Sequence, residues 1–159
     1  MPDDLYDRDI LAWSQRQAGL LRRLAAGERV NDLDWPHVID EVEDVGRSEL
    51  RACQSLLTRS MEHLLKIQGW PKNTAVPHWR GEAVTFLREA QRAFSASMAQ
   101  HLDLAGLFAD ARDAVREQRI DQTTPSSLPL TCPFTGPELL ANRPDLDILL
   151  AKLAAARDD

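Results

Sequence analysis

Four histidines and four tryptophans occur in this 159-residue chain, and some of them lie close enough together to share chemistry. His63, Trp70, His78 and Trp79 bracket a stretch containing Pro71 and Pro77, with Lys66, Lys72 and Arg80 beside them. Prolines break helix interiors, so this stretch reads as the turn of a helical hairpin with imidazoles, indoles and cations at one end. Aromatic walls with a few cations suit an anionic small molecule or a base stacked on indole. The plainer account is that the tryptophans staple the hairpin while the cations sit in water. His63, Lys66, Trp70, His78, Trp79 and Arg80 are the candidate binding residues.

A second group is acidic: Asp34, His37, Asp40, Glu41 and Asp44. At helical spacing His37, Glu41 and Asp44 share a face and would offer nitrogen and oxygen ligands to a divalent metal. A carboxylate-bridged metal bundle, however, draws Glu-x-x-His pairs from more than one helix, and the sequence has none. HExxH is absent too. Carboxylates near a helix start also complement its dipole, so no metal and no cofactor is expected.

Of the two cysteines, Cys132 lies three residues before a helix-start signal, and Cys53 sits within an apolar stripe and reads as core. A reactive thiol needs a base or a helix N-terminus close by. No nucleophile elbow, phosphate loop or dinucleotide fingerprint occurs. No residue is assigned a catalytic role, and the balance leans away from an enzyme without deciding it.

Proline placement sets out the elements that would position these groups. Prolines at 2, 36, 71, 77, 125, 129, 133, 137 and 144 leave 37–70 and 78–124 open to long helices. A first helix is expected from about Asp7 to Ala26, stopped by Gly27, with Ile10, Trp13, Leu20, Leu21 and Leu24 on its apolar face. Asp34 and Pro36 suit the start of a second helix. From there Ile39, Val42, Gly46, Leu50, Cys53, Leu57, Met61, Leu64 and Ile67 step by 3 or 4 as far as Gly69. This helix would be ~35 residues and ~52 Å long, more than a compact domain of this size needs. Gly46 reads as a point of close helix approach. A third helix begins near Pro77 with Trp79, Ala83, Leu87, Ala90 and Phe94 inside, and Ser95-Ala-Ser97 is a candidate break. A fourth runs from the cap Asp103 to about Gln118. Residues 121–137 read as an ordered proline-rich strap in which Leu128, Leu130 and Phe134 interleave. Thr135 to Glu138 is a capping box opening a short helix, and a last helix follows Pro144.

The net charge is −6, unevenly spread: residues 1–45 carry 5 basic and 11 acidic side chains, residues 46–100 carry 8 and 4, and residues 101–159 carry 6 and 10. An acidic chain disfavours general nucleic-acid binding, and the basic middle reads as pairing with the acidic ends. With 43% apolar and 28% charged residues the composition is that of a globular domain, not a disordered one. No apolar run reaches the ~20 residues of a membrane span, and the acidic start does not read as a signal peptide. A cytoplasmic location is expected, with both cysteines as thiols.

Several of these segments, in this order and spacing, resemble the bacterial "domain of unknown function 29" family. They are Tyr6 to Trp13 with Gln17, Leu20 and Leu21; Asp32 to Trp35; Glu41 to Glu49; His63 to Lys66; and Cys132 to Thr135 with Glu138 to Leu140. The resemblance runs from about residue 5 to 140 and is loose between Gly81 and Leu104. It implies an all-helical bacterial protein and no established activity, cofactor or catalytic residue.

The expected fold is one all-α domain over residues 1–159: an up-and-down bundle around one long helix (core about 5–120), a strap over 121–137 and short C-terminal helices over 136–157. The function is unknown. The first expectation is a non-enzymatic interaction module whose long helix meets a protein partner or a second copy in a homodimer. The alternatives are a small-molecule-binding or hydrolytic domain using the His63/Trp70/His78/Trp79 end and, below that, a nucleic-acid-associated regulator.

Overall fold

The structure, a computed structural model, describes residues 4–157. Among the described residues every regular element is helical: α1 (Leu5–Arg8), α2 (Ile10–Ala25), α3 (Trp35–Gly69), α4 (Val76–Ala93), a 3-10 turn (Ala96–His101), α5 (Leu104–Arg116), α6 (Gly136–Leu139) and α7 (Leu146–Ala155). A single isolated β-bridge joins Ile120 and Thr123. No described helix is long and apolar enough to cross a membrane. The chain divides into two compact units, Met1–Ser48 and Glu49–Asp159, and the 35-residue α3 runs unbroken from the first into the second.

In the first unit Asp9 separates α1 from α2. Its backbone leaves the helical region (φ −153°, ψ 83°), and its carboxylate accepts from Ala12 N at 3.0 Å, capping the new helix. Gly27, at φ +86°, ends α2 in the left-handed region where a side chain would be strained. The expected apolar face of α2 is buried only in part. Trp13 and Gln17 are covered, whereas Ile10 and Leu24 are exposed.

The second unit is built on the latter half of α3. Cys53, Leu57, Met61, Leu64 and Leu65 are fully buried there. Trp79, Ala83, Leu87 and Ala90 of α4 recur every three or four residues on one face, as do Phe108, Ala111 and Val115 of α5 and Leu146, Leu149 and Leu153 of α7. Each fully buried leucine contributes about 1.5–3 kcal/mol relative to exposure. The chain does break at the candidate Ser95, between α4 and the 3-10 turn, and Asp103 caps α5 by accepting from Gly106 N.

The strap closes the end of α3. Ser126 N donates to Gly69 O at 2.9 Å, and Ser126 Oγ donates to Gln68 O at 3.0 Å, serving carbonyls that a helix end leaves unpaired. Gly69 lies so close to Pro125 that a Cβ there would stand 2.7 Å from the proline Cβ. The buried Gln68 amide oxygen accepts from the Arg157 guanidinium when its amide is oriented to suit its neighbours. Leu128, Pro129 and Phe134 are buried, but Leu130 is exposed, because the chain bends there and turns it outward. The capping box at Thr135 and Glu138 is present, and Glu138 also pairs with Lys152 of α7.

One expectation about α3 is corrected. Gly46 is no close-approach point: nothing lies within 4 Å of where its Cβ would be, and the helix continues through it. The apolar stripe is core only over the latter part of α3, since Ile39, Val42 and Val45 are exposed.

Candidate functional site

Six side chains of the first unit interlock where α1, α2 and the start of α3 meet. Asp34 holds three of them. Its carboxylate Oδ2 accepts from Trp13 Nε1 at 3.0 Å and from His37 Nδ1 at 2.7 Å, while its backbone N–H donates to Gln17 Oε1 at 3.0 Å. Tyr6 lies stacked on the His37 ring with centroids 3.9 Å apart, and meets Trp13 edge-on at 4.9 Å. Its hydroxyl donates to Glu41 Oε1 at 2.6 Å. Burial works to raise the pKa of Asp34, but the hydrogen bonds from His37 and Trp13 outweigh it and hold the carboxyl below its ordinary value. Tyr6 is pushed up to about 12, first by its bond to Glu41, then by burial and the nearby carboxylates. This polar network joins α2 to α3 where two apolar faces would be expected to pack.

The metal ligands weighed from the sequence are each committed to other partners. His37 faces Asp34, Glu41 accepts from Tyr6, and Asp44 accepts from Arg47 Nε at 2.7 Å. Among the described residues no three histidine, cysteine, aspartate or glutamate side chains gather as a metal site would require.

With α2 meeting the Asp34/His37/Glu41 side of α3, the adjacent side is left open. Trp35 (50% exposed), Ile39 (53%), Val42 (70%) and Val45 (67%) follow one another at spacings of 4, 3 and 3. At about 100° per residue this places them on one face of the helix. The same face, carried on to Cys53, Leu57 and Leu64, is fully buried in the second unit. A single apolar stripe is therefore core over one half of α3 and surface over the other.

At the other end of α3, Trp70 and Trp79 meet, with ring centroids 6.4 Å apart, and both are buried. The rest of the candidate binding set takes other neighbours. His63 packs on Phe86 at 5.5 Å and bonds Arg59 O, Arg80 pairs with Asp147 at 2.6 Å, His78 is exposed and Lys66 is half-buried. Trp70 Nε1 donates to Thr123 Oγ1 at 2.9 Å, and Asn73 Nδ2 donates to Asp121 Oδ2 at 2.8 Å. A cleft of about 380 Å³ lies between Trp70, Lys72, Asn73, Asp121 and Thr123. Asp121, which lines it, and the next residue Gln122 both have positive φ (49° and 63°), a backbone that non-glycine residues adopt at a cost.

Burial raises the thiol pKa of both Cys53 and Cys132, which disfavours the thiolate form. A second, mostly apolar cavity of about 440 Å³ is lined by Phe94, Ala99, Leu102, Leu104, Gly136, Pro137 and Leu140.

Sequence reasoning did not single out the Tyr6–Trp13–Gln17–Asp34 network. A glutamine on the otherwise apolar side of α2 was the available signal, since a buried glutamine needs a polar partner. Nor did it anticipate the open stripe, because periodicity marks a face as apolar without saying what covers it.

A family model described as "Domain of unknown function DUF29" matches residues 5–143. Among solved structures the chain is similar to an alpha-helical protein of unknown function from Rhodospirillum rubrum. The two are 28% identical with a TM-score of 0.67, over 93% of this chain and 96% of that one. A search of curated proteins finds no match.

Proposed function

This chain belongs to the family described as domain of unknown function DUF29, and since that family lends it no activity, we propose from its geometry that it is a non-enzymatic helical interaction module. Its docking face is the open stripe Trp35–Ile39–Val42–Val45 on α3. The observation that carries this reading is the exposure of four large apolar side chains in one row. Single exposed apolar residues are ordinary, but a contiguous row marks an interaction surface. The first unit supports the reading, because among its described residues only Trp13 and Gln17 are buried. An assembly of helices with so small a core gains by burying a further face against a partner. The free cysteines fit a reducing, cytoplasmic setting for that partner.

A photo-crosslinker placed at Val42, with a control at Asp40 on the far side of the helix, tests this. The expected result is an adduct of defined mass from position 42 that is lost on Val45→Asp. Equal labelling from both positions overturns the reading.

A second reading places a small polar ligand in the Trp70/Lys72/Asn73/Asp121 cleft, supported by the positive φ of Asp121 in its lining. Ligand-induced quenching of Trp70 fluorescence, absent in Trp70→Phe, would distinguish it from the first.

A further inference from the structure

We propose that the occupant of the α3 stripe is a basic amphipathic helix supplied by a different protein; this rests on the docking-face reading above and names the partner's chemistry. The stripe is rimmed by negative charge. On the helical wheel Glu43 lies along one edge, and Glu41 and Asp34 lie along the other. Between Trp35 and Ser48 the helix carries four carboxylates, Asp40, Glu41, Glu43 and Asp44, against the single cation Arg47. That cation is already engaged, with Nε 2.7 Å from Asp44 and Nη1 3.2 Å from Glu43. No lysine occurs before Lys66. Glu41 accepts from the neutral Tyr6 phenol, and Asp34 from the Trp13 indole and the His37 imidazole.

From Trp35 to Val45 the stripe covers ten residues of helix rise, ~15 Å. That is nearly three turns, enough to seat the two turns, ~11 Å, over which a docked helix presents anchors at i, i+3 or i+4, and i+7. Leucine-like anchors would meet Ile39 and Val42, and flanking lysines or arginines would reach Glu43 on one edge and Glu41 on the other. Complementary rims of this kind steer encounter and fix register.

The charge also argues against the other occupants. A two-fold contact between copies places the same surface against itself, so the acidic rims would face each other and repel. An anionic lipid surface repels the same rim. The four side chains offer on the order of 400 Å², so even with an equal area from the partner the contact falls among small, transient interfaces.

The test titrates the full chain with a synthetic 18-residue leucine/lysine amphipathic helix and, in parallel, with the leucine/glutamate helix of the same pattern. Trp35 is the reporter, since Trp13, Trp70 and Trp79 are buried. Expected is a blue shift with the lysine peptide, missing in Trp35→Phe. Affinity should fall about tenfold in Val42→Asn and about tenfold again between 50 and 500 mM salt, with no binding of the glutamate peptide. Because Val42 is 70% exposed, Val42→Asn leaves the fold intact.

Lysine-peptide binding that ignores Val42→Asn would mean bulk charge alone, and overturns the proposal. Binding of both peptides, each weakened by Val42→Asn, overturns the partner's charge but leaves the docking face standing. A concentration-dependent dimer abolished by Val42→Asn assigns the face to a second copy, and Val42-dependent flotation with anionic vesicles assigns it to a membrane; either overturns the proposal. If neither peptide binds and neither self-association nor vesicle binding appears, the docking-face reading fails with it.

Discussion

The phenol of Tyr6 is 2.6 Å from the Glu41 carboxylate, and the two residues are 35 apart in sequence. Tyr6 is the only tyrosine of the chain, so the 295 nm absorbance of phenolate reports this one contact. Folded protein should show little phenolate at pH 10.5 and a midpoint near the raised value of about 12, against an ordinary 10.0. In Glu41→Gln the midpoint should move back toward 10. The sign follows from linkage. The folded state holds the proton more tightly, so this stabilisation is fully present below pH 10 and is lost as pH rises through 12.

Gln17→Leu makes a buried position more apolar and should nevertheless destabilise the first unit. Gln17 Oε1 is the acceptor for the Asp34 N–H at 3.0 Å, and leucine leaves that donor unpaired, at about 1–3 kcal/mol. Gln17→Glu restores an acceptor and should recover part of the loss. Urea unfolding followed by far-ultraviolet circular dichroism measures both.

Two glycines of α3 should respond in opposite directions to alanine. Gly69→Ala sets a methyl 2.7 Å from Pro125 Cβ and forces the strap away from the helix end; a loss of about 1–3 kcal/mol is expected. Gly46→Ala meets nothing within 4 Å, and it replaces the poorest ordinary helix former with the best, for a gain of roughly 0.5–1 kcal/mol. Thermal melts of the two variants check the signs.

Glu138 is held at about 2, below its ordinary 4.5, first by the Lys152 ammonium and then by the Thr135 backbone N–H. Its folded pKa is depressed, so its stabilisation is present above pH 4.5 and is lost as pH falls toward 2. Glu138→Gln should therefore melt below the wild type at pH 7, and the gap should close between pH 4.5 and 2. Lys152→Met should show the same convergence.

Much of this fold was legible because it rests on local signals. Pro36, Gly69, Pro77 and Asp103 punctuate α3, α4 and α5 with capping and breaking chemistry that acts within a turn of the chain. The Thr135/Glu138 box was readable for the same reason. What was not legible depends on which neighbour arrives. Val42 and Leu57 have the same character and the same phase, yet one is 70% exposed and the other 0%. The pairing of Trp13 with Asp34 joins residues whose types advertise no affinity. At the Trp70 end the sequence marked residues that do gather, Trp70 with Trp79. It gave no sign that Arg80 would turn to Asp147, a partner 67 residues away.

That α3 is one uninterrupted helix has a consequence for the order in which the chain acquires structure. Starting a helix is the costly step, with a nucleation constant of about 10⁻³, whereas adding a residue to an existing one costs little. That nucleus is expected to form in the half around Leu57 and Leu64, which is fully buried. The stretch from Trp35 to Ser48 then grows from it by propagation and offers α2 a template. The first unit is accordingly a dependent structure. Severed before Glu49 it would have no seed, and on heating it should fray before its neighbour melts. Its open face exists only while the rest of the chain is folded.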